Sequence, residues 1–298
     1  MGLGRLLGRR PGVDPVGSAA LASLLARPML EVLPFKGVRS QILSLSPGTQ
    51  ISVTASPAKG LDATVELAAE LQAAGFAAVP HVAARMVRDR AHLADLLARM
   101  HSAGLSRAFV GGGDAAKPGE FPDGLSLLKA IAEIGPVPPA IGIPCYPDGH
   151  AFIPDDALLA ALRAKLPFAS WMTTQLCFDA AKIAAWLAAR RAEGIQMPAV
   201  IGVPGVTEPH RLLAISAAIG VRDTRRFVSR NVGLMARLLR SGGFYRPDRL
   251  LADLAQLAAN PAMLVAGVHL YTFNQVASTE SWRRHYLAGL TTQAPSAV

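Results

Sequence analysis

The strongest constraint on the fold is a repeated unit: an amphipathic helix, a glycine, then a short apolar strand. Between Leu93 and Met100, the residues Leu93, Leu96, Leu97 and Met100 share one helical face, and Gly104 stops that helix before a strand running to Val110. Asp179 is placed to cap a helix whose Ile183, Trp186 and Leu187 share a face, and Gly194 ends it before the next apolar run. The same grammar recurs at Gly75-Phe76 and Gly220-Val221. Glycine suits these positions because a helix often closes on a left-handed residue, which costs glycine nothing sterically. Strands separated by single helices must pair in parallel. Strands are expected near residues 28–34, 50–54, 77–81, 107–112, 139–145, 169–175, 198–203 and 264–271. Eight such strands close a barrel, so the expected fold is α/β, a (β/α)8 TIM barrel. The long gap between strands 7 and 8 holds two extra helical patterns, at residues 224–239 and 249–258.

No linker rich in Pro, Gly or Ser divides the 298 residues, which read as one catalytic domain with an N-terminal extension over residues 1–27 and a loose tail over 291–298. Hydrophobic residues make up 51% and charged residues 17%, which excludes a disordered or fibrous chain. Apolar runs are broken well before the roughly 18 residues of a spanning helix, so no membrane partner is expected. The net charge of +9 would draw in a polyanion, and residues 222–230 carry its densest local source. The basic residues lack the aromatic interleaving and motifs of nucleic-acid modules, so nucleic acid is not an expected partner. Cys145 and Cys177 stand 32 apart with no C-x-x-C or H-E-x-x-H in the chain, so neither a metal site nor a disulfide is indicated. Arg5, Arg9 and Arg10 faintly resemble a transit peptide, but no signal-peptide core follows, and the expected location is cytoplasmic with reduced thiols. Oligomeric state is left open, a homo-oligomer included.

The ends of parallel barrel strands converge on one face, where such barrels carry their active sites. Here those ends are Glu31, Thr54, His81, Asp114, Tyr146, Gln175 and Tyr271. Glu31 is the sharpest of them. Period-2 alternation sets Met29, Glu31 and Leu33 on one face of the first strand and Leu30 and Val32 on the other. Glutamate is seldom buried without a partner, and desolvation favours its neutral, proton-donating form. The competing reading is an ion pair with Lys36 or an arginine. Gly111-Gly112-Gly113-Asp114 can bring backbone close to a ligand and offer it a carboxylate, or be a turn whose Asp114 caps the next helix. Tyr146-Pro147-Asp148-Gly149-His150 can stack on a ligand or be an ordinary turn. The Gln175 amide offers a heterocycle both a donor and an acceptor. His81 and His269 read as core histidines when taken alone.

Together these residues carry a resemblance. Leu30-Glu31-Val32-Leu33-Pro34, Val53-Thr54, Pro80-His81, Gly113-Asp114, Tyr146-Pro147-x-x-His150, Thr174-Gln175-x-x-Phe178-Asp179, Pro204-Gly205 and Tyr271-Thr272-x-Asn274 follow the order and spacing of the methylenetetrahydrofolate reductases, over about residues 28–288. The chain resembles the catalytic barrel of the bacterial enzymes. The resemblance implies reduction of 5,10-methylenetetrahydrofolate to 5-methyltetrahydrofolate by NADH or NADPH. It makes Glu31 and Asp114 catalytic, Glu31 as the acid that opens the imidazolidine ring. It assigns Gln175, Asp114, Tyr271 and Gln275 to the folate, and Thr54, His81, Gly113, Tyr146, His150 and Lys165 to FAD.

Four departures stand against the family pattern. Gly112-Gly113-Asp114 replaces Arg-Gly-Asp and Ala164-Lys165 replaces Arg-Lys, removing two cationic partners of the flavin diphosphate. The Tyr-Thr-x-Asn-Arg ending is here Tyr271-Thr272-Phe273-Asn274-Gln275, and the loop after strand 7 is replaced by residues 221–227. Hydride then passes either through FAD or straight from nicotinamide. A non-redox folate- or corrinoid-linked methyl-transfer barrel is the alternative function.

Overall fold

The computed structural model describes residues 13–150, 152–208 and 244–291. Chain order runs α1 Pro15–Ala26, β1 Met29–Val32, α2 Val38–Ile42, β2 Gln50–Val53, α3 Gly60–Ala73, β3 Ala77–Ala83, α4 Arg90–Ser102, β4 Arg107–Gly111 and α5 Gly124–Ile134. It continues with β5 Ala140–Cys145, α6 Asp155–Lys165, β6 Trp171–Thr174, α7 Ala180–Ala192, β7 Ala199–Pro204, α8 Asp248–Ala259, β8 Val265–Tyr271 and α9 Val276–Thr291. All eight strands pair in parallel with their sequence neighbours, and β8 returns to β1 to close the barrel. The expected (β/α)8 fold is the observed one. Helix α8 matches the expected 249–258 insertion, whereas residues 224–239 lie outside the described residues.

Local chemistry places the elements. In α4, Leu93, Leu96, Leu97 and Met100 are each at most 2% exposed. Burying four such side chains contributes roughly 1.5–3 kcal/mol apiece. Asp89 starts α4 by accepting from the His92 N–H, and Asp179 starts α7 by accepting from the Ala181 and Lys182 N–H groups. Gly104 and Gly194 follow these helices at φ +68° and +82°, the left-handed closures anticipated for glycine.

The core has two parts. A large shell between strands and helices contains Leu30, Val32, Ile51, Val53, Val110, Ile143 and Met172. A small plug inside the barrel contains Met29, Val79, Trp171 and Val200, with Phe109 and Ala140 against it. The split confirms the alternation in β1: Leu30 and Val32 face the helices while Met29 faces inward, so Glu31 faces inward too. The Trp171 indole is admitted because Gly142 has no side chain; a Cβ there would lie 2.3 Å from the indole. Arg107 stacks its guanidinium 4.4 Å from the Trp171 ring and bonds the Gln50 side chain, sealing the N-terminal end of the barrel. The N-terminal segment is helical in its described part, with Leu21 and Leu25 buried in the main core.

Candidate active site

The opposite, C-terminal mouth is polar. At its centre, Glu31 of β1 meets His269 of β8, Oε2 to Nε2 at 2.9 Å, with side chains 13% and 2% exposed. The two residues become neighbours only when the barrel closes, since β8 sets His269 beside Met29 and Tyr271 beside Glu31. His269 Nδ1 is buried and has no hydrogen-bond partner among the described residues. A buried N–H left unpaired costs more than a bare lone pair, so the proton belongs on Nε2, which donates to Glu31. Oε2 is thereby engaged by His269. Among the described residues the partner of Glu31 is thus His269, and neither Lys36 nor an arginine pairs with it there. His269 is buried, and its side-chain bond among the described residues is to Glu31.

Around this pair lie His81 and Tyr271. His81 Nε2 stands 2.5 Å from Ser52 Oγ, and its ring lies 4.6 Å from that of Phe109. Burial lowers the His81 pKa to about 4, opposed by Glu31 and reinforced by His269, so the ring is neutral at pH 7. Tyr271 crosses the mouth and donates its hydroxyl to the Thr174 carbonyl at 3.0 Å, with its ring 4.8 Å from His269. Burial, then Glu31, holds that phenol well above its ordinary pKa. Its hydroxyl is spent on tying β8 to β6, which leaves the ring as the part a ligand can meet. Thr54 likewise donates its hydroxyl to Val32, at 3.2 Å.

Asp114 sits on the loop after β4. It does not cap the following helix, because Asp123 does so by accepting from the Leu125 and Ser126 N–H groups. Arg85 braces the loop by donating to the Ala115 and Ala116 carbonyls, a contact that nothing in the local sequence announces. Gly113 turns at φ +82°, and a Cβ there would lie 2.8 Å from the Ala83 Cβ, so the loop lies flat on β3. Desolvation raises the Asp114 pKa, opposed by His150 and Arg85. His150 packs edge-on to Tyr146 at 5.4 Å. The electrostatic influences run from Asp114 to Tyr146, from Tyr146 to Tyr271, and from Glu31 to Tyr271 and His81, which sets these groups in one neighbourhood. Gln175 ends β6 half-buried, with its side-chain oxygen accepting from the Leu176 N–H, while Gln275 precedes α9 and accepts from the Ser278 hydroxyl.

Beside the mouth, a cavity of about 580 Å³ runs between α5, α6 and α7. Tyr146, Lys165, Asp123, Asp155, Asp156 and Arg190 supply its polar wall. Lys165, at the end of α6, lines this cavity. Burial lowers its pKa, opposed by Cys145 and Asp123. Among the described residues, no group of three or more His, Cys, Asp or Glu side chains could hold a metal ion, and no helix is long and apolar enough to cross a membrane. Cys145 and Cys177 are free and buried.

The comparisons agree with this architecture. One solved structure similar to this chain is described as a "putative phosphonomutase from Burkholderia cenocepacia J2315", at 13% identity and TM-score 0.50, covering 94% of this chain and all of that one. Another, a "putative lyase/mutase" of the same organism, has 18% identity and TM-score 0.46, covering 95% of each chain. At such identities the first likeness speaks to the barrel alone. The family profile described as methylenetetrahydrofolate reductase matches residues 39–282, which leaves Glu31 just outside the matched span and carried by its geometry. A match over residues 39–282, well over half of the chain, settles the family: the chain belongs to the methylenetetrahydrofolate reductases.

Proposed function

We propose that the protein reduces 5,10-methylenetetrahydrofolate to 5-methyltetrahydrofolate with NADH or NADPH, Glu31 serving as the general acid. The observation that carries this reading is the inward carboxyl of Glu31, shielded from solvent and held on one oxygen by His269. Protonated Glu31 gives its proton to N10 of the folate. The bond from N10 to the methylene carbon breaks with its electrons staying on N10, and the N5 lone pair forms the 5-iminium. A hydride from nicotinamide C4 then makes the new C–H bond, the iminium electrons return to N5, and the nucleotide leaves oxidised. Glu31 regains its proton from solvent, so one proton and one hydride are consumed per turnover. Asp114 and the Gln175 amide serve as hydrogen-bonding partners of the pterin, with the Tyr271 ring beside it.

FAD is the family's usual carrier, but the donor set here does not suit its diphosphate. Three carboxylates, Asp123, Asp155 and Asp156, line the cavity next to the mouth. Of its two cations, Arg190 is bound to Glu193 at 2.5 Å, and burial lowers the pKa of Lys165. Gly112 and Ala164 add no charge. We therefore favour direct transfer, with nicotinamide and pterin occupying the mouth together.

The test is oxidation of NADH and NADPH by the purified protein with and without 5,10-methylenetetrahydrofolate, alongside a search for flavin in the acid-released supernatant. Folate-dependent oxidation, no released flavin and no gain from added FAD are expected. Absence of folate-dependent oxidation would overturn the reductase reading, and turnover that requires FAD would overturn the direct route.

A further inference from the structure

Strand β8 stops pairing with β1 one step before Glu31 is secured on its far side. The backbone register ends at Glu31 opposite Tyr271, and the Thr272 N–H reaches the Glu31 carbonyl at a long 3.4 Å. In a regular parallel ladder the next two bonds would run from the Leu33 N–H to the Thr272 carbonyl and from the Asn274 N–H to the Leu33 carbonyl. Neither forms, because the chain turns there: Phe273 and Asn274 adopt left-handed φ values of +52° and +56°, and the Thr272 carbonyl accepts from the Gln275 N–H instead.

Side chains make the missing bonds. Asn274 Oδ1 accepts from the Leu33 N–H at 2.8 Å, and Asn274 Nδ2 donates to the Leu33 carbonyl at 3.1 Å. Thr272, fully buried, donates its hydroxyl to the Glu31 carbonyl at 2.5 Å. We propose that Asn274 is a positioning residue for the reaction: its amide stands in for the absent strand residue and, with Thr272, fixes the end of β1 so that the Glu31 carboxyl stays on His269 and aimed into the mouth. A side-chain amide suits this because it offers a donor and an acceptor side by side, as a peptide does, and asparagine tolerates the left-handed backbone better than other non-glycine residues. Without the clasp, the last residues of a strand only four long are tied on the β2 side by the Thr54 N–H and hydroxyl on the Val32 carbonyl, and on the β8 side only by the long Thr272 N–H contact.

The proposal rests on Glu31 being the acid, and the test separates the two. Asn274→Gly keeps the left-handed backbone at no steric cost and removes the amide. Asn274→Asp keeps the acceptor and loses the donor. Both are compared with the parent for thermal unfolding, kcat and KM for the folate, the pH profile of kcat, and the ring-nitrogen signals of His269, assigned by their loss in His269→Gln. In Asn274→Gly, kcat is expected to fall ~10- to 100-fold, in line with the cost of a small misplacement of a reacting group. KM is expected to stay within about twofold, with the acid limb of the pH profile displaced and the His269 signals shifted in a protein that still unfolds cooperatively. Wild-type kcat and pH profile in Asn274→Gly would overturn the proposal, as would a loss of rate that merely follows the loss of folded protein. If the parent reduces no methylenetetrahydrofolate, the reductase reading fails, and unchanged His269 signals in Asn274→Gly would then dispose of the clasp as well.

Discussion

Two residues at the mouth, His81 and Asp114, set the pH behaviour. His81 has a folded pKa of about 4 against an ordinary value of 6.5, because its ring is buried. The unfolded chain therefore binds a proton that the folded chain refuses between those values. The stabilisation is complete above about pH 6.5 and is lost as pH falls toward 4, by at most on the order of 3 kcal/mol. Denaturant titrations at pH 7 and pH 4.5 should show this loss in the parent and a smaller one in His81→Gln. Asp114 works in the opposite sense: its carboxyl is raised by desolvation, so ionising it costs stability at neutral pH. Asp114→Asn should match or slightly exceed the parent's melting temperature at pH 7, while folate reduction slows. The Glu31 carboxyl could be picked out of the sequence because a charge inside an apolar strand is conspicuous. Its partner could not, because His269 lies 238 positions away and meets it only through closure of the barrel. Period-2 alternation along β8, which puts Gly267, His269 and Tyr271 on one face, is the signal that could have found it.

At the scale of elements, alternation and helix punctuation made the strands legible to within two residues at each end. Polar capping told where helices begin, as Asp179 does for α7. The turn between β4 and α5 was harder to read, since Asp114 and Asp123 are both plausible caps and only three-dimensional proximity selects Asp123. Turns held by side chains, such as Arg85 on the Ala115 carbonyl and Asn274 on Leu33, leave no periodic trace. Inside the barrel, packing is exacting. Gly142→Ala would set a methyl into the Trp171 indole, whose face is also fixed by Arg107 and whose Nε1 donates to Thr173. We expect a loss of about 1–3 kcal/mol from overpacking, read as a lower urea midpoint with an unchanged slope. Asp179→Ala should cost less, about 1 kcal/mol, by removing the α7 cap.

The whole molecule divides its labour between two ends. The N-terminal end is plugged by Met29, Val79, Trp171 and Val200 beneath Arg107, whereas the C-terminal mouth gathers the titratable groups. That polarity follows from the βα order of a closed parallel barrel and was readable from the recurrence of strands. The basic stretch at residues 222–230, read as a source of attraction for a polyanion, lies outside the described residues. The chain's charge of +9 nevertheless gives an expectation for kinetics: KM for a polyglutamylated methylenetetrahydrofolate should rise more steeply with salt than KM for the monoglutamate. Parallel salt dependence for both would assign the field no part in substrate capture.

The measurement that bears most directly on the chemistry is single-turnover hydride transfer in Glu31→Gln, followed by nicotinamide absorbance with saturating 5,10-methylenetetrahydrofolate. The amide preserves size and can still meet His269, but it has no proton to give. A rate at least ~100-fold below the parent, with folate affinity retained, is the expected result for loss of a general acid. A rate equal to the parent's would contradict the assignment and move the proton donor to another group at the mouth.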